Sequence, residues 1–195
     1  IYIGGALVLY GLRVGTVRQG STFELVSREG ALVLNNLLLS VILGVVFIGT
    51  LYPLVAQAMG QQLSIGAPFF NKAAVPVALA LVAATMAGPL LKWRRDDWKA
   101  LLGKLAVPAT AAVLTFAALI ALSGSADIVL LLGLAFAAGL AVASLMPLWG
   151  RNLRRTPLHT WGMVIAHFGV AVSIAGMAAD TAFKLERLTA MHVGE

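Results

Sequence analysis

Apolar residues occur along this chain in five long blocks separated by short polar segments. Each block holds 18 to 22 residues and lacks Asp, Glu, Lys and Arg, which is the pattern of a membrane-spanning helix. At about 1.5 Å per residue the blocks reach about 27–33 Å, close to a hydrocarbon thickness of about 30 Å. The blocks are residues 31–52, 73–91, 105–122, 128–149 and 161–179.

These blocks predict helices rather than barrel strands. Inside a bilayer every backbone N–H and C=O needs a partner in the protein, so a spanning segment is either a helix or part of a closed barrel. The alternation of apolar and polar residues that marks barrel strands is absent from the blocks. The sequence therefore predicts an all-α fold, a polytopic transmembrane helix bundle.

The two ends of the chain differ from the middle. The apolar stretch at 1–12 reaches only about 18 Å as a helix, too little to cross a bilayer. We expect it to be half of a sixth span, so that the chain is an internal piece of one larger transmembrane domain. Residues 180–195 are expected to begin a segment outside the membrane.

Composition agrees with a membrane protein. The chain is 60% hydrophobic and 11% charged, whereas a soluble domain carries roughly 25% charged residues. There is no cysteine, which excludes disulfides, thiolate metal sites and thiol catalysis from these residues.

The net charge of +6 gives an orientation. Eleven of the fourteen Lys and Arg residues fall in three alternate connections, at 13–30, 92–104 and 151–160. The positive-inside rule makes this side cytoplasmic, so the basic residues are a topology signal and we expect no nucleic-acid partner. The C-terminal tail then lies outside, which in a bacterium is the periplasm. All four tryptophans lie at or between the cytoplasmic ends of spans, as expected of an interfacial belt: Trp93, Trp98, Trp149 and Trp161.

His167 is the first candidate functional residue. It is the seventh residue of the block 161–179, and no other block contains His, Cys or a charged residue. Ionisable groups at that depth usually face the bundle interior or a cofactor. The residues alone leave two interpretations open: a neutral histidine hydrogen-bonded to a neighbouring helix, or an axial ligand of haem iron. A second histidine ligand would come from outside this chain.

Small residues follow one line of the same block, about 100° round the helix from His167. Such a seam allows another helix, or a flat macrocycle, to approach the backbone closely, and ordinary helix packing is the simpler interpretation. Its members are Gly162, Ala166, Gly169, Ser173 and Gly176.

Polar residues in the first block form a second candidate surface. Asn36, Ser40 and Gly44 are spaced one turn apart and share a face, whereas Asn35 points elsewhere. We expect interhelical hydrogen bonds from this face, and a quinone or other ligand contact is a further interpretation without support in the residues. Just before the block, Ser27 fits a helix N-cap.

Two connections carry aromatic residues. The segment 60–72 is poor in charge, is punctuated by Gly and Pro, and contains two phenylalanines, so it predicts an interfacial turn or a docking surface. The segment 92–104 mixes basic residues with two tryptophans and predicts contact with anionic lipid headgroups.

Several familiar chemistries are absent from the sequence. It contains neither a phosphate-binding loop, a dinucleotide fingerprint nor a His-Glu-x-x-His motif. Carboxylates within the blocks, the usual ion-coupling groups of transporters, are also missing, which disfavours an ion-coupled transporter.

Local strings along the whole chain resemble the CcmF/NrfE family, the haem-lyase membrane subunits of bacterial cytochrome c maturation. The strings appear in family order: Ser27-Arg28-Glu29, Leu34-Asn35-Asn36-Leu37-Leu38-Leu39, Gly49-Thr50-Leu51-Tyr52-Pro53, Ser64-Ile65-Gly66-Ala67-Pro68-Phe69 and Trp161-Gly162-Met163-Val164-Ile165-Ala166-His167-Phe168-Gly169.

The resemblance implies a role for His167. In that family two transmembrane histidines ligate a b-type haem, and His167 matches the later of the two, as an axial ligand of haem iron. The earlier histidine would lie upstream of Ile1. The family's tryptophan-rich periplasmic motif is absent from this chain, so the resemblance implies half of the haem b site and no catalytic residue of haem attachment here.

The resemblance also implies a reaction and partners. The family supports thioether formation between haem vinyl groups and the Cys-x-x-Cys-His thiols of apocytochrome c in the periplasm, with haem delivered by the carrier CcmE. Other maturation subunits, the bilayer of the bacterial inner membrane and quinol are the remaining expected partners. Two alternatives stay open: a non-catalytic membrane scaffold, and a segment that transports haem or another lipophilic substrate.

Overall fold

The computed structural model describes residues 2–16, 22–123 and 127–183, and the regular elements in these ranges are all helical. Helices α2 to α6, including the 3-10 turns that follow α3 and α5, are long and apolar enough to cross a membrane. The predicted all-α, multi-pass membrane fold is thereby confirmed. The helices are α1 (Tyr2–Arg13), α2 (Arg28–Ala58), α3 (Ala67–Ala87), α4 (Trp98–Ser123), α5 (Ile128–Leu145) and α6 (Leu158–Phe183).

Most helices extend beyond the apolar blocks that predicted them. Helix α2 covers the block 31–52 and continues through Pro53 to Ala58, and α3 begins at Ala67, inside the connection that we expected to be a turn. Terminal turns can be polar because they lie at the headgroup level, so hydropathy alone truncates them. Helix α6 likewise reaches Phe183, past the predicted start of the outer segment at 180, and 184–195 lie outside the described residues.

Helix α5 is the centre of the bundle. It packs against α4 and α6 along most of its length and against α3, while α2 packs mainly against α3. Its buried residues are largely small or aliphatic, which lets neighbouring backbones approach closely. A Cβ built at Gly139 would lie 3.0 Å from Met86 Sδ, 3.0 Å from the Pro108 carbonyl oxygen and 3.1 Å from Ala112 Cβ. Gly139 is therefore the point where α3, α4 and α5 meet.

The predicted small-residue seam of α6 does not face the bundle. Its five residues are all exposed among the described residues. The buried line of α6 instead contains Thr160, Val164 and Ala171. The side chains of this line are larger than those of the seam, so they make more van der Waals contact when they pack against α5.

The end of the bundle at which α2, α4 and α6 begin is called the basic end below. There the segment before α2 runs beside the connection between α3 and α4. Backbone hydrogen bonds join Glu24 N–H to the Arg94 carbonyl, Arg28 N–H to the Lys92 carbonyl and Asp96 N–H to the Val26 carbonyl. The connection is thus folded against α2 rather than only lying on headgroups.

Helix α2 begins as its sequence predicted. Ser27 is the N-cap, and its hydroxyl oxygen accepts a hydrogen bond of 3.0 Å from Gly30 N–H. The same hydroxyl donates to the Glu24 carbonyl at 2.6 Å, and Ser27 is fully buried. The first turn of α2 is therefore fixed at the basic end, and with it the position of Arg28.

Candidate cofactor-binding cleft

His167 lies on the bundle-facing line of α6. It follows Thr160 and Val164 and precedes Ala171 at helical spacings of three and four residues, and these three neighbours are buried. Counted from Leu158, the first residue of α6, His167 is about 13.5 Å along the helix. The imidazole, which is half-buried, therefore lies inside the membrane span and toward the other helices.

The imidazole ring is oriented by its own helix. His167 Nδ1 lies 2.9 Å from the carbonyl oxygen of Met163, one turn earlier. A carbonyl oxygen only accepts hydrogen bonds, so Nδ1 carries the proton of this bond, and in the neutral ring the lone pair is on Nε2. Metal-ligating histidines commonly have this arrangement, in which one nitrogen donates to a backbone carbonyl and the other faces the metal.

His167 and Met163 line a cleft of about 410 Å³ that α2, α3 and α6 share at the basic half of the bundle. This volume lies within the range of about 300–1,000 Å³ that small-molecule and cofactor sites occupy. Its walls are mostly apolar, with few polar side chains. The remaining lining residues are Arg28, Ala31, Leu32, Asn35, Ala84, Thr85, Gly88, Pro89 and Trp93.

The polar side chains of the cleft differ in the hydrogen bonds that they form within the protein. The Thr85 hydroxyl donates to the Leu81 carbonyl at 2.7 Å, within its own helix. Arg28 Nη2 donates to the Pro89 carbonyl at 3.1 Å, and its guanidinium carbon lies 5.2 Å from the centre of the Trp93 ring. The Asn35 amide has no side-chain hydrogen bond to the described part of the chain. The amide is therefore available to a ligand.

Asn35 is a functional candidate that the sequence analysis did not place in the cleft. The sequence singled out the face of Asn36, Ser40 and Gly44, but Asn36 and Ser40 are exposed, and Ser40 Oγ donates to the Asn36 carbonyl within its own helix. The interhelical bonds expected from this face are not formed among the described residues. The sequence did contain a signal for this placement. Arg28 and Asn35 are seven residues apart, which puts both on one face of α2.

His167 does not belong to a cluster of metal-binding side chains in the described ranges. Residues 2–16, 22–123 and 127–183 contain no group of three or more His, Cys, Asp or Glu side chains that could hold a metal ion. His159 is exposed in the first turn of α6, and His192 lies outside the described residues. The described residues therefore do not supply a protein-only metal site of His, Cys, Asp and Glu ligands around His167.

The connection at 60–72 has a helical second half. Gly60 adopts a positive φ of 79° in the turn after α2, and α3 begins at Ala67. The Phe70 ring packs against Gly49 of α2 and meets the Phe69 ring edge-on, with ring centres 5.3 Å apart. Both predicted aromatic side chains therefore join α2 to α3 at Gly49, and Phe69 also remains partly exposed.

Comparison with known proteins gives the family. The chain is 36% identical over 205 residues to the cytochrome c-type biogenesis protein CycK of Bradyrhizobium diazoefficiens, an alignment covering 98% of this chain and 31% of CycK. It is 37% identical to the cytochrome c-type biogenesis protein CcmF of Escherichia coli, covering 100% of this chain and 31% of that protein. The chain belongs to the CcmF family.

The CcmF-family relationship includes a more distant branch. The cytochrome c-type biogenesis protein NrfE of Haemophilus influenzae is 29% identical over 189 residues, covering 93% of this chain and 29% of NrfE. The chain spans about a third of the length of the CcmF and CycK relatives. No protein-family model matches the chain, and no solved structure matches it.

Proposed function

We propose that the chain forms part of the membrane subunit of a bacterial cytochrome c maturation haem lyase, and that His167 is an axial ligand of a b-type haem in the cleft. The similarity to relatives named as cytochrome c-type biogenesis proteins supports the process. The hydrogen bond from His167 Nδ1 to the Met163 carbonyl is the observation that carries the ligand assignment, because it leaves the lone pair on Nε2.

The residues of the cleft fit a haem. A flat macrocycle needs apolar walls, an imidazole and a cation for its carboxylates, and the cleft offers Ala31 and Leu32, His167 and Arg28. Bound haem would supply one-electron chemistry. In this proposal Met163 orients the imidazole through its carbonyl, the apolar walls exclude water, and the second axial ligand comes from outside the described residues.

The wider assignment follows the family. We propose the bacterial inner membrane, with the basic end of the bundle cytoplasmic and the end of α6 at Phe183 periplasmic, because eleven of the fourteen basic residues fall in the sequence segments 13–30, 92–104 and 151–160. Haem attachment to apocytochrome c, with CcmE and other maturation subunits as partners and quinol as an electron source, belongs to the same proposal. It assigns no attachment residue to this chain.

The test is a visible spectrum of the complete protein that carries this chain, purified in detergent, beside the variant His167→Ala. We expect a reduced low-spin b-type spectrum in the unchanged protein and its loss or conversion to a high-spin spectrum in the variant, at equal protein yield. His159→Ala is the matched control, because His159 is exposed on the same helix. It should keep the spectrum of the unchanged protein.

The other outcomes separate the alternatives. Identical spectra in the unchanged protein and His167→Ala would make His167 a packing residue and remove the ligand assignment. Absence of haem from every sample, after expression with ample haem, would favour a scaffold or a transporter of a lipophilic substrate.

A further inference from the structure

Arg28 lies at the mouth of the His167 cleft. It is the first residue of α2 and so lies at the basic end, whereas His167 is about 13.5 Å along α6 from the same end. Both residues line one cleft, on walls formed by different helices. A ligand that reaches from His167 to the membrane surface therefore passes Arg28.

The guanidinium of Arg28 is held in place but not neutralised. Its bond to the Pro89 carbonyl uses one of five N–H donors, and the Trp93 ring covers part of it. Because a planar guanidinium fixed on an aromatic ring keeps its edges free, it is suited to bidentate binding of a carboxylate.

The acidic side chains near Arg28 are committed to other partners. Glu24 pairs with Arg95 at 3.3 Å, Glu29 accepts a hydrogen bond of 2.7 Å from Arg94 N–H, and Asp96 pairs with Lys104. In the described part of the chain, Arg28 forms no ion pair. A half-buried cation beside an apolar cleft is thus left without an anion.

We infer that Arg28 binds a carboxylate of the cleft's ligand, so that a haem would lie with its propionates toward the basic end of the bundle and its apolar edge toward the membrane centre. This inference rests on the proposed function, since it assumes that haem occupies the cleft. Arg28 is then a positioning residue that fixes one of the possible orientations of the macrocycle about the axis through His167.

The test compares haemin with haemin dimethyl ester, in which both carboxylates are blocked. Each is titrated into the haem-depleted complete protein in detergent, and the Soret band gives the dissociation constant. The unchanged protein should bind the free acid about tenfold or more tightly than the ester, since the ester cannot form a charge-assisted hydrogen bond with Arg28. Arg28→Gln should bind both forms with nearly equal affinity.

The controls keep the outcomes distinct. Arg155→Gln removes an exposed arginine from the same end of the bundle and should preserve the preference for the free acid. Arg28→Lys retains the positive charge but lacks the planar guanidinium. It should therefore show part of the preference for the free acid. If the unchanged protein bound the acid and the ester with equal affinity, the inference would be overturned, and this result does not depend on whether Arg28→Gln folds. A folded Arg28→Gln protein that still preferred the acid as strongly would overturn it as well.

Lipid phosphate is the competing source of an anion at this depth. If Arg28 binds headgroups instead, adding phosphatidylglycerol to the micelles would raise the thermal midpoint of the unchanged protein more than that of Arg28→Gln, with no acid preference in the titrations. Failure of the proposed function looks different: neither haemin nor its ester would bind, or His167→Ala would bind both as the unchanged protein does.

Discussion

The ammonium nitrogen of Lys104 lies 3.4 Å from Oδ2 of Asp96, whose side chain is only 2% exposed. The same ammonium donates to the Leu90 carbonyl at 2.9 Å, so it ties the end of the turn after α3 to the second turn of α4. Asp96 also accepts hydrogen bonds from the backbone N–H groups of Lys92 and Asp97, at 3.0 and 2.9 Å. This cluster fixes the connection that borders the mouth of the cleft.

Replacing Lys104 with Met should lower the free energy of unfolding by about 1–3 kcal/mol, because the Asp96 carboxylate then remains buried without its cation. Unfolding by denaturing detergent, followed by circular dichroism, measures the change. Arg95→Gln is the comparison: it breaks the exposed pair with Glu24 and should change stability by less than about 1 kcal/mol. Equal losses of stability in Lys104→Met and Arg95→Gln would contradict the argument that burial of Asp96 makes its ion pair the more important one.

The protein should lose stability in acid through Asp96. Burial acts to raise the pKa of Asp96, but the backbone N–H groups of Lys92 and Asp97 and the charge of Lys104 outweigh it, so the pKa lies below its ordinary value of 3.8. A carboxyl group with a lowered folded-state pKa stabilises the fold fully above the unfolded pKa. This contribution is lost as the pH falls through the folded pKa, which places the loss below about pH 4.

Thermal midpoints in detergent between pH 6 and pH 3 test this dependence. Asp96→Asn should be less stable than the unchanged protein at pH 6 and should show a shallower fall in acid. Asp97→Asn makes the same charge change at an exposed neighbouring position and should retain the steep fall. A profile for Asp96→Asn parallel to that of the unchanged protein would mean that other carboxyl groups carry the acid sensitivity.

Gly139→Ala should destabilise the centre of the bundle. The added methyl group would meet the Pro108 carbonyl at 3.0 Å, and backbone cannot rotate away as a side chain can. Overpacking costs about 1–3 kcal/mol, and the better helix propensity of Ala offsets up to about 1 kcal/mol of it. Gly133→Ala on the same helix is the control, because its nearest neighbour would be the Ala178 Cβ at 3.9 Å. It should be neutral or slightly stabilising in the same denaturation assay.

Gly49→Ala should loosen the contact between α2 and α3. A Cβ at Gly49 would come within 2.6 Å of the Phe70 ring and 2.9 Å of the Phe69 ring, so both rings would have to shift. We expect a loss of about 1–2 kcal/mol. Gly44→Ala, on the same helix with nothing within 4 Å of its Cβ, should show no loss. A stable Gly49→Ala protein would indicate that the two rings repack freely.

The sequence predicted the membrane-spanning helices because that signal is local. A block without charges about 20 residues long crosses a bilayer as a helix whatever its neighbours are, and the Ser27 cap depends only on the residues that follow it. The limits of α2 at Ala58 and of α3 at Ala67 were less well predicted, since polar terminal turns carry no hydropathy signal. His167 was recognisable because a histidine inside an apolar block is costly and therefore stands out.

Only the tertiary structure decided which surfaces face each other. All faces of α6 are similarly apolar, so its sequence does not show which face packs against the bundle. The structure shows that the line through Val164 and Ala171 is buried and that the line of small residues is exposed. The sequence also could not bring Arg28 and Asn35 of α2 into one cleft with His167, because residues more than 130 positions apart meet only through helix packing. The type of each element follows from local composition, whereas the site depends on packing between distant segments.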